Sequence, residues 1–155
     1  IHLENIDISS PKNDGVDFME SSAVINNLKI YDSKDKGISI GEKSSIVIKN
    51  SVLSNNIIGI AVKDASQATI HNTTFDNNSF QLAGYAKNWR YSGGGKVDVY
   101  KSKFISVINK FSSFGDPTLL KENKNNKLIE NSIININGSL VEGKIETKGK
   151  NIFFN

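Results

Sequence analysis

Apolar and polar residues alternate along this chain in short runs, and the runs recur at a fixed step. Ile46-Val47-Ile48-Lys49-Asn50-Ser51-Val52-Leu53 is followed 22 residues later by Ala68-Thr69-Ile70-His71-Asn72-Thr73-Thr74-Phe75. Gly37-Ile38-Ser39-Ile40-Gly41-Glu42 precedes the first of these, and Gly59-Ile60-Ala61-Val62-Lys63-Asp64 precedes the second. Alternation over three or four positions predicts a half-buried strand. Each period holds three such strands, separated by small or polar corners, with no helical spacing between them. One turn of this kind cannot bury its own apolar edge, so successive turns must stack.

The same register is found at residues 1, 23, 46, 68, 97 and 127, with steps of 22, 23, 22, 29 and 30. It predicts an all-β fold, a right-handed parallel β-helix of about six turns with ~22 residues per turn. At ~4.8 Å between neighbouring strands the rod is about 25–30 Å long. Residues 46–48 should pair in parallel with 68–70. Leu3, Ile25, Ile48, Ile70, Val99 and Ile129 are expected to form one interior rib, and Ile8, Ile30, Leu53, Phe75, Phe104 and Ile134 a second. The third wall is expected from Val16, Ile38, Ile60 and Phe80 with Phe18, Ile40, Val62 and Leu82.

Asn5, Asn27, Asn50 and Asn72 fall in one corner column, interrupted by Lys101 and resumed by Asn131. Asn tolerates the left-handed backbone conformation, and a buried corner amide can bond its equivalent on the next turn. Gly15, Gly37 and Gly59 each open the third strand, where a positive φ or a close backbone approach would require glycine. Two stretches leave the pattern, residues 84–95 and residues 111–126. The expectation is therefore one β-helix domain over 1–155 with two insertions. The chain opens in register at Ile1, so a preceding segment of a longer chain is expected.

Composition narrows the function classes. There is no Cys, which removes disulfide and thiolate chemistry. The two His are too few for a zinc site of the usual imidazole kind. The formal charge of +3 comes from scattered Lys; of 19 Lys and Arg only Arg90 is an Arg, and no basic run interleaves with aromatics. Nucleic acid is not an expected partner. No run approaches the ~20 apolar residues of a membrane span, so no membrane insertion is expected.

Three groups of residues could carry chemistry. Glu20, Glu42 and Asp64 take one position in successive turns, so their carboxylates would stack ~5 Å apart and repel. Such a column is either a row of solvated turn residues or a site for a cation, a nearby Lys or Arg or a Ca2+ ion with oxygen ligands. The next turn has Gly84 at that place, and there the insertion Gly84-Tyr85-Ala86-Lys87-Asn88-Trp89-Arg90-Tyr91 begins, with the single Trp of the chain. It is either a packed lid or a recognition loop. As a recognition loop, Tyr85, Trp89 or Tyr91 would stack on a sugar, and Lys87 and Arg90 would meet a carboxylate or sulfate. Lys63, next to Asp64, is either a surface ion-pair partner or, if desolvated, a general base.

The repeat grammar of Gly-Ile-x-Ile, an apolar strand, an Asn corner and an Asn-Asn turn resembles the β-helix repeats of the pectate-lyase-like superfamily. Asp35 to Glu42 and Ile58 to Asp64 carry the resemblance. It implies a secreted or cell-surface protein that handles an acidic polysaccharide. Lyases of that superfamily neutralise a uronate carboxylate with Ca2+ or an Arg and use Lys or Arg as base, which would give Lys63 and Arg90 catalytic roles. Related hydrolases use clustered Asp; Asn13-Asp14-Gly15-Val16-Asp17 is similar to one such motif but lacks its paired Asp and the Gly-His-Gly. The sequence thus leaves three readings: a polysaccharide-binding or -remodelling module, a lyase acting by β-elimination, and a structural rod or adhesin segment.

Overall fold

The computed structural model describes residues 1–119 and 129–155. These contain fifteen strands and no α-helix, and every strand pairing is parallel. The strands are β1 (His2–Ser9), β2 (Val16–Met19), β3 (Ser22–Tyr31), β4 (Lys36–Gly41), β5 (Ser45–Lys49), β6 (Val52–Ser54), β7 (Ile58–Lys63) and β8 (Gln67–His71). They continue as β9 (Thr74–Asp76), β10 (Phe80–Tyr85), β11 (Lys96–Tyr100), β12 (Lys103–Ser112), β13 (Ile133–Asn137), β14 (Leu140–Lys148) and β15 (Ile152–Phe154).

The first wall stacks β1, β3, β5, β8, β11, β13 and β15. The second stacks the far ends of β1 and β3 with β6, β9, β12 and β14. The third stacks β2, β4, β7 and β10, and the end of β12 continues it. Residues 46–48 pair in parallel with 68–70 as the repeat requires. Inside, Ile25, Ile48, Ile70 and Val99 lie in one fully buried rib, and Ile30, Leu53, Phe75 and Phe104 in another. Phe75 and Phe104 stack at 4.8 Å. Each such side chain contributes ~1.5–3 kcal/mol by leaving water, which makes these ribs the main source of stability.

The corners are built from residues in the left-handed region. Asn5, Asn27, Asn50, Asn72 and Lys101 have φ between 47° and 55°; Ser10, Asp32, Asn55 and Asn77 form a second such column, and Glu20, Glu42 and Asp64 a third. The Asn column is exposed rather than buried, but its amides do link the levels: Asn27 Nδ2 donates to Asn5 Oδ1 at 2.7 Å and Asn72 Nδ2 to Asn50 Oδ1 at 2.8 Å. The buried ladder lies elsewhere. Asn56 Nδ2 donates to Asn78 Oδ1, Asn78 Nδ2 to Gln81 Oε1, and Gln81 Nε2 to Asn109 Oδ1, at 2.9, 2.8 and 2.6 Å. The glycines opening β4 and β7 serve close approach: a Cβ on Gly59 would stand 2.6 Å from the Gln81 carbonyl oxygen.

In the third wall at residue 80 and again past Phe104 the register differs from the expected one, while between them Val97, Val99 and Phe104 pair with Ala68, Ile70 and Phe75 as the repeat requires. Leu82, not Phe80, pairs with Ile60, because the step of 22 holds here too. The sixth level of the first wall starts at Ile133, not at 127, and places Ile136 opposite Val99 and Ile134 opposite Val97. Ile129 is 56% exposed, and Val141 follows Phe104 in the second rib. Asn131 does not resume the corner column; Gly138 stands after Lys101 there. The physical reason is the insertion before β11, onto which residues 131 and 132 dock instead of starting a strand. Ile152–Phe154 adds a seventh level. Of the expected excursion at 111–126, residues 111 and 112 belong to β12 and residues 120–126 lie outside the described residues.

Asn78→Ala should lower stability by roughly 2–4 kcal/mol, because the Asn56 amide and the Gln81 carbonyl lose their buried partner. Asn50→Ala, on the exposed ladder, should cost about 1 kcal/mol, chiefly through the left-handed backbone. Urea denaturation of both variants checks the order, and equal costs would contradict it.

Candidate functional site

The corner after the third wall carries the acids. Glu20, Glu42 and Asp64 follow β2, β4 and β7 and stack through the backbone: Glu20 N donates to Glu42 O at 3.1 Å and Lys43 N to Asp64 O at 3.0 Å. Since Gly84 pairs with Val62, the fourth position of this column is Ala86 rather than Gly84. The chain leaves the coil there and returns at Lys96.

That loop is fastened to the acids. Asp64 is completely buried, and its Oδ1 accepts from Lys87 N and Asn88 N, both at 2.7 Å. Two amide donors on one carboxylate oxygen form a strong, charge-assisted anchor. Asn88 then closes a tight turn, accepting from Arg90 N on its side chain and from Tyr91 N on its carbonyl. The Tyr91 hydroxyl donates to Glu20 Oε1 at 2.8 Å, so the loop runs back along the rod across the acidic column. Its return limb is held by Asn131 Oδ1, which accepts from Gly94 N, and by Ser132 Oγ, which accepts from Gly95 N. Glycine is required in this limb, since a Cβ on Gly95 would fall 2.0 Å from the Val62 carbonyl oxygen.

Above this anchorage the surface is aromatic and cationic. Trp89 is 55% exposed, with the Arg90 guanidinium carbon 6.0 Å from its ring. Lys43 Nζ stands 6.0 Å from the Tyr91 ring, and Lys43, Lys87 and Arg90 are all exposed. Below it, carboxylates are crowded. Burial pushes the Glu42 carboxyl above its ordinary range; Lys63 and Lys87 oppose this, and Asp64 and Asp17 add to it. Burial likewise raises Glu130, whose Oε2 accepts from Ala86 N at the root of the loop.

Seven of the nine expected site residues therefore meet at this corner: Glu20, Glu42, Asp64, Lys87, Trp89, Arg90 and Tyr91. Tyr85 and Lys63 belong to the outer face of the third wall and are buried, at 0% and 6% exposure. Tyr85 is the last residue of β10 rather than part of the loop, and it packs against Ile58, Ala61 and Ala83. A Cβ on Gly41 would stand 3.7 Å from Lys63 Nζ and 3.9 Å from Asp64 Oδ2, the oxygen of that carboxylate with no hydrogen-bond partner among the described residues.

Among the described residues no group of three or more carboxylate or imidazole side chains is placed to hold a metal, and one oxygen each of Asp64 and Glu20 serves the loop.

A second polar cluster was not anticipated. Lys36 is buried, with Nζ 2.6 Å from Asp35 Oδ2 and 3.6 Å from Asp14 Oδ1. Burial, followed by the neighbouring Asp116 carboxylate, holds the Tyr85 phenol far above its usual range, though the two are not aligned as a hydrogen bond. A signal existed in the repeat: Lys36 takes the place that Ile58 and Phe80 hold in later turns.

A family model described as "Right handed beta helix region" matches residues 1–155. No curated protein and no solved structure matches the chain.

Asp64→Ala should release the loop without unfolding the coil, seen as faster amide exchange at Lys87 and Asn88 and faster tryptic cleavage after Lys87 or Arg90. Unchanged exchange would show that the loop is held elsewhere. The raised Glu42 carboxyl gives a pH dependence with a definite sign. The folded state holds this proton more tightly than the unfolded one, so stability falls as pH rises from the ordinary value of about 4.5 through the higher folded value. Glu42→Gln should therefore be more stable than the wild type at pH 7 and lose that advantage near pH 4, as thermal melts at the two pH values would show.

Proposed function

The chain belongs to the right-handed β-helix family, and from that premise we propose that it is a secreted or cell-surface module that binds an acidic polysaccharide through the loop of residues 86–95. The observation that carries this reading is Trp89 beside Arg90 on an exposed tip whose base is fastened by a buried carboxylate. A half-exposed indole offers an apolar face to the C–H side of a pyranose. Arg90 and the exposed Lys43 and Lys87 supply cations for carboxylates or sulfates. Because the loop is fastened before any ligand arrives, little ordering entropy is lost on binding.

The acids serve this function indirectly. Glu20 and Asp64 hold the loop, so that its cations face outward rather than turning inward. A catalytic version of the reading gives Lys63 the role of base and Arg90 that of neutralising cation in a β-elimination. It requires Lys63, which is buried, to become accessible to the substrate. A third reading, a rod or adhesin segment without a glycan site, is favoured by the polar ladders that run from level to level.

Calorimetric titration with polygalacturonate separates the three. Binding should weaken with salt, and Trp89→Ala should reduce it about tenfold or more while the coil stays folded. Ultraviolet absorbance from an unsaturated product would establish the lyase. No binding by the wild type would leave the rod, and full binding by Trp89→Ala would remove the loop from the site.

A further inference from the structure

The root of the loop at 86–95 is held by two carboxylates that share three consecutive backbone amides. Asp64 Oδ1 accepts from Lys87 N and Asn88 N, both at 2.7 Å, and Glu130 Oε2 accepts from the preceding amide, Ala86 N, at 3.2 Å. Asp64 comes from the corner after β7 and Glu130 from the stretch before β13, so tertiary packing alone sets them side by side. Asp64 and Ala86 are buried and Glu130 is half-buried. Among the described residues no salt bridge shorter than 4.0 Å joins either carboxylate to a cation.

Two like charges in a partly dry place without a cation repel, and one of the pair takes up a proton first. Glu130 has the poorer share of the donors, a single bond of 3.2 Å. Its carboxyl lies above its ordinary range: burial raises it most, the Ala86 and Gly115 amides lower it, the Asp64 charge raises it and Lys148 lowers it. Beyond Asp64 lies Glu42, with Lys63, Asp17 and Lys87 around it. Protonation of Glu130 removes the repulsion without removing the bond, because the carbonyl oxygen of a neutral carboxyl still accepts from Ala86 N.

The sign of the effect follows. If the loop lifts, Glu130 loses its cover and returns toward its ordinary value of about 4.5. The docked loop therefore holds this proton more tightly than the lifted one. Docking is favoured at and below the ordinary value, and that contribution is lost as pH rises from about 4.5 through the higher docked value. The Tyr91 phenol, raised first by its bond to Glu20, keeps its proton throughout this range.

We propose that the loop root is an acid-tightened latch: neutral Glu130 holds the loop firmly against the coil, and its ionisation toward neutral pH loosens residues 86–88 and with them the Trp89 and Arg90 tip that follows. The latch is a property of the chain itself and stands whether or not the tip takes a glycan.

Amide exchange of the full chain between pH 4.5 and 7.5 tests it, read as protection factors so that the intrinsic pH dependence divides out. In the wild type the factors at Ala86, Lys87 and Asn88 should fall about threefold or more across this range relative to those at Ile48 and Ile70 of the coil. The carboxyl carbon resonance of Glu130 should titrate with the same midpoint as that fall. Glu130→Gln, which keeps the acceptor and removes the charge, should hold the factors at their acid value up to pH 7.5 and slow tryptic cleavage after Lys87 and Arg90 there. Glu42→Gln should leave the fall in place, which separates the latch from the effect of Glu42 on the stability of the coil. Level factors in the wild type, a Glu130 midpoint unrelated to the fall, or a fall that persists in Glu130→Gln would each overturn the latch.

Discussion

Each level of this rod must turn three corners in about 22 residues, and in the first four levels the corners hold one or two residues in the left-handed region, Asn50, Asn55 and the pair Glu42 and Lys43 among them. That constraint governs the rest of the structure. An L-residue there sacrifices ~1–2 kcal/mol, so each corner has to be compensated by the level above or below. Backbone pairing does most of this, since the corner amide of Asn50 donates to the His71 carbonyl and that of Asn72 to the Tyr100 carbonyl. Side chains add to it: Ser51, Ser102 and Ser139 hydroxyls each accept a backbone N–H from the preceding level. A single level has none of these partners, and stacking is therefore a condition of the fold and not a consequence of it.

The same constraint explains where function can be added. The interior ribs tolerate no irregularity because each side chain touches its equivalents on both neighbouring levels. A corner touches its equivalents only through a few hydrogen bonds, and a long insertion there leaves the strands in place. The loop at 86–95 exploits this, and it replaces the lost corner bonds with others. Gly93 and Gly94 carbonyls accept from Ala65 N where the next coil would have done so, and Asn131 and Ser132 take the remaining amides. Asp64 holds the root of the loop with an acid in the left-handed column. Corner strain and loop anchorage thus fall on one residue, which accounts for a completely buried carboxylate at this corner.

The cations and the acids of this corner have separate roles as a result. Repulsion between stacked carboxylates is relieved less by ion pairing than by hydrogen bonds from backbone amides and a phenol. Among the described residues no salt bridge shorter than 4.0 Å joins Lys87 or Arg90 to the column. The positive charge of Lys43, Lys87 and Arg90 stays at the surface.

Much of this was legible in the residues themselves. The step of 22 and the alternation within it are local properties, and they determined the strands, their parallel pairing and the interior ribs as far as Val99. They also placed Glu20, Glu42 and Asp64 in one column and the insertion at its end. Beyond residue 80 the local signal became ambiguous: Leu128-Ile129-Glu130-Asn131 alternates like a strand, but Asn131 and Ser132 bond the glycine limb of the loop and pairing starts only at Ile133. The burial of Lys36 and Tyr85 was hidden because alternation within a strand says which face a residue takes, whereas the outer face of the third wall is itself packed. Repetition fixes what each level does to the next. Which carboxylate becomes an anchor and which lysine is buried depend on contacts between segments that do not repeat, and those only the tertiary structure decides.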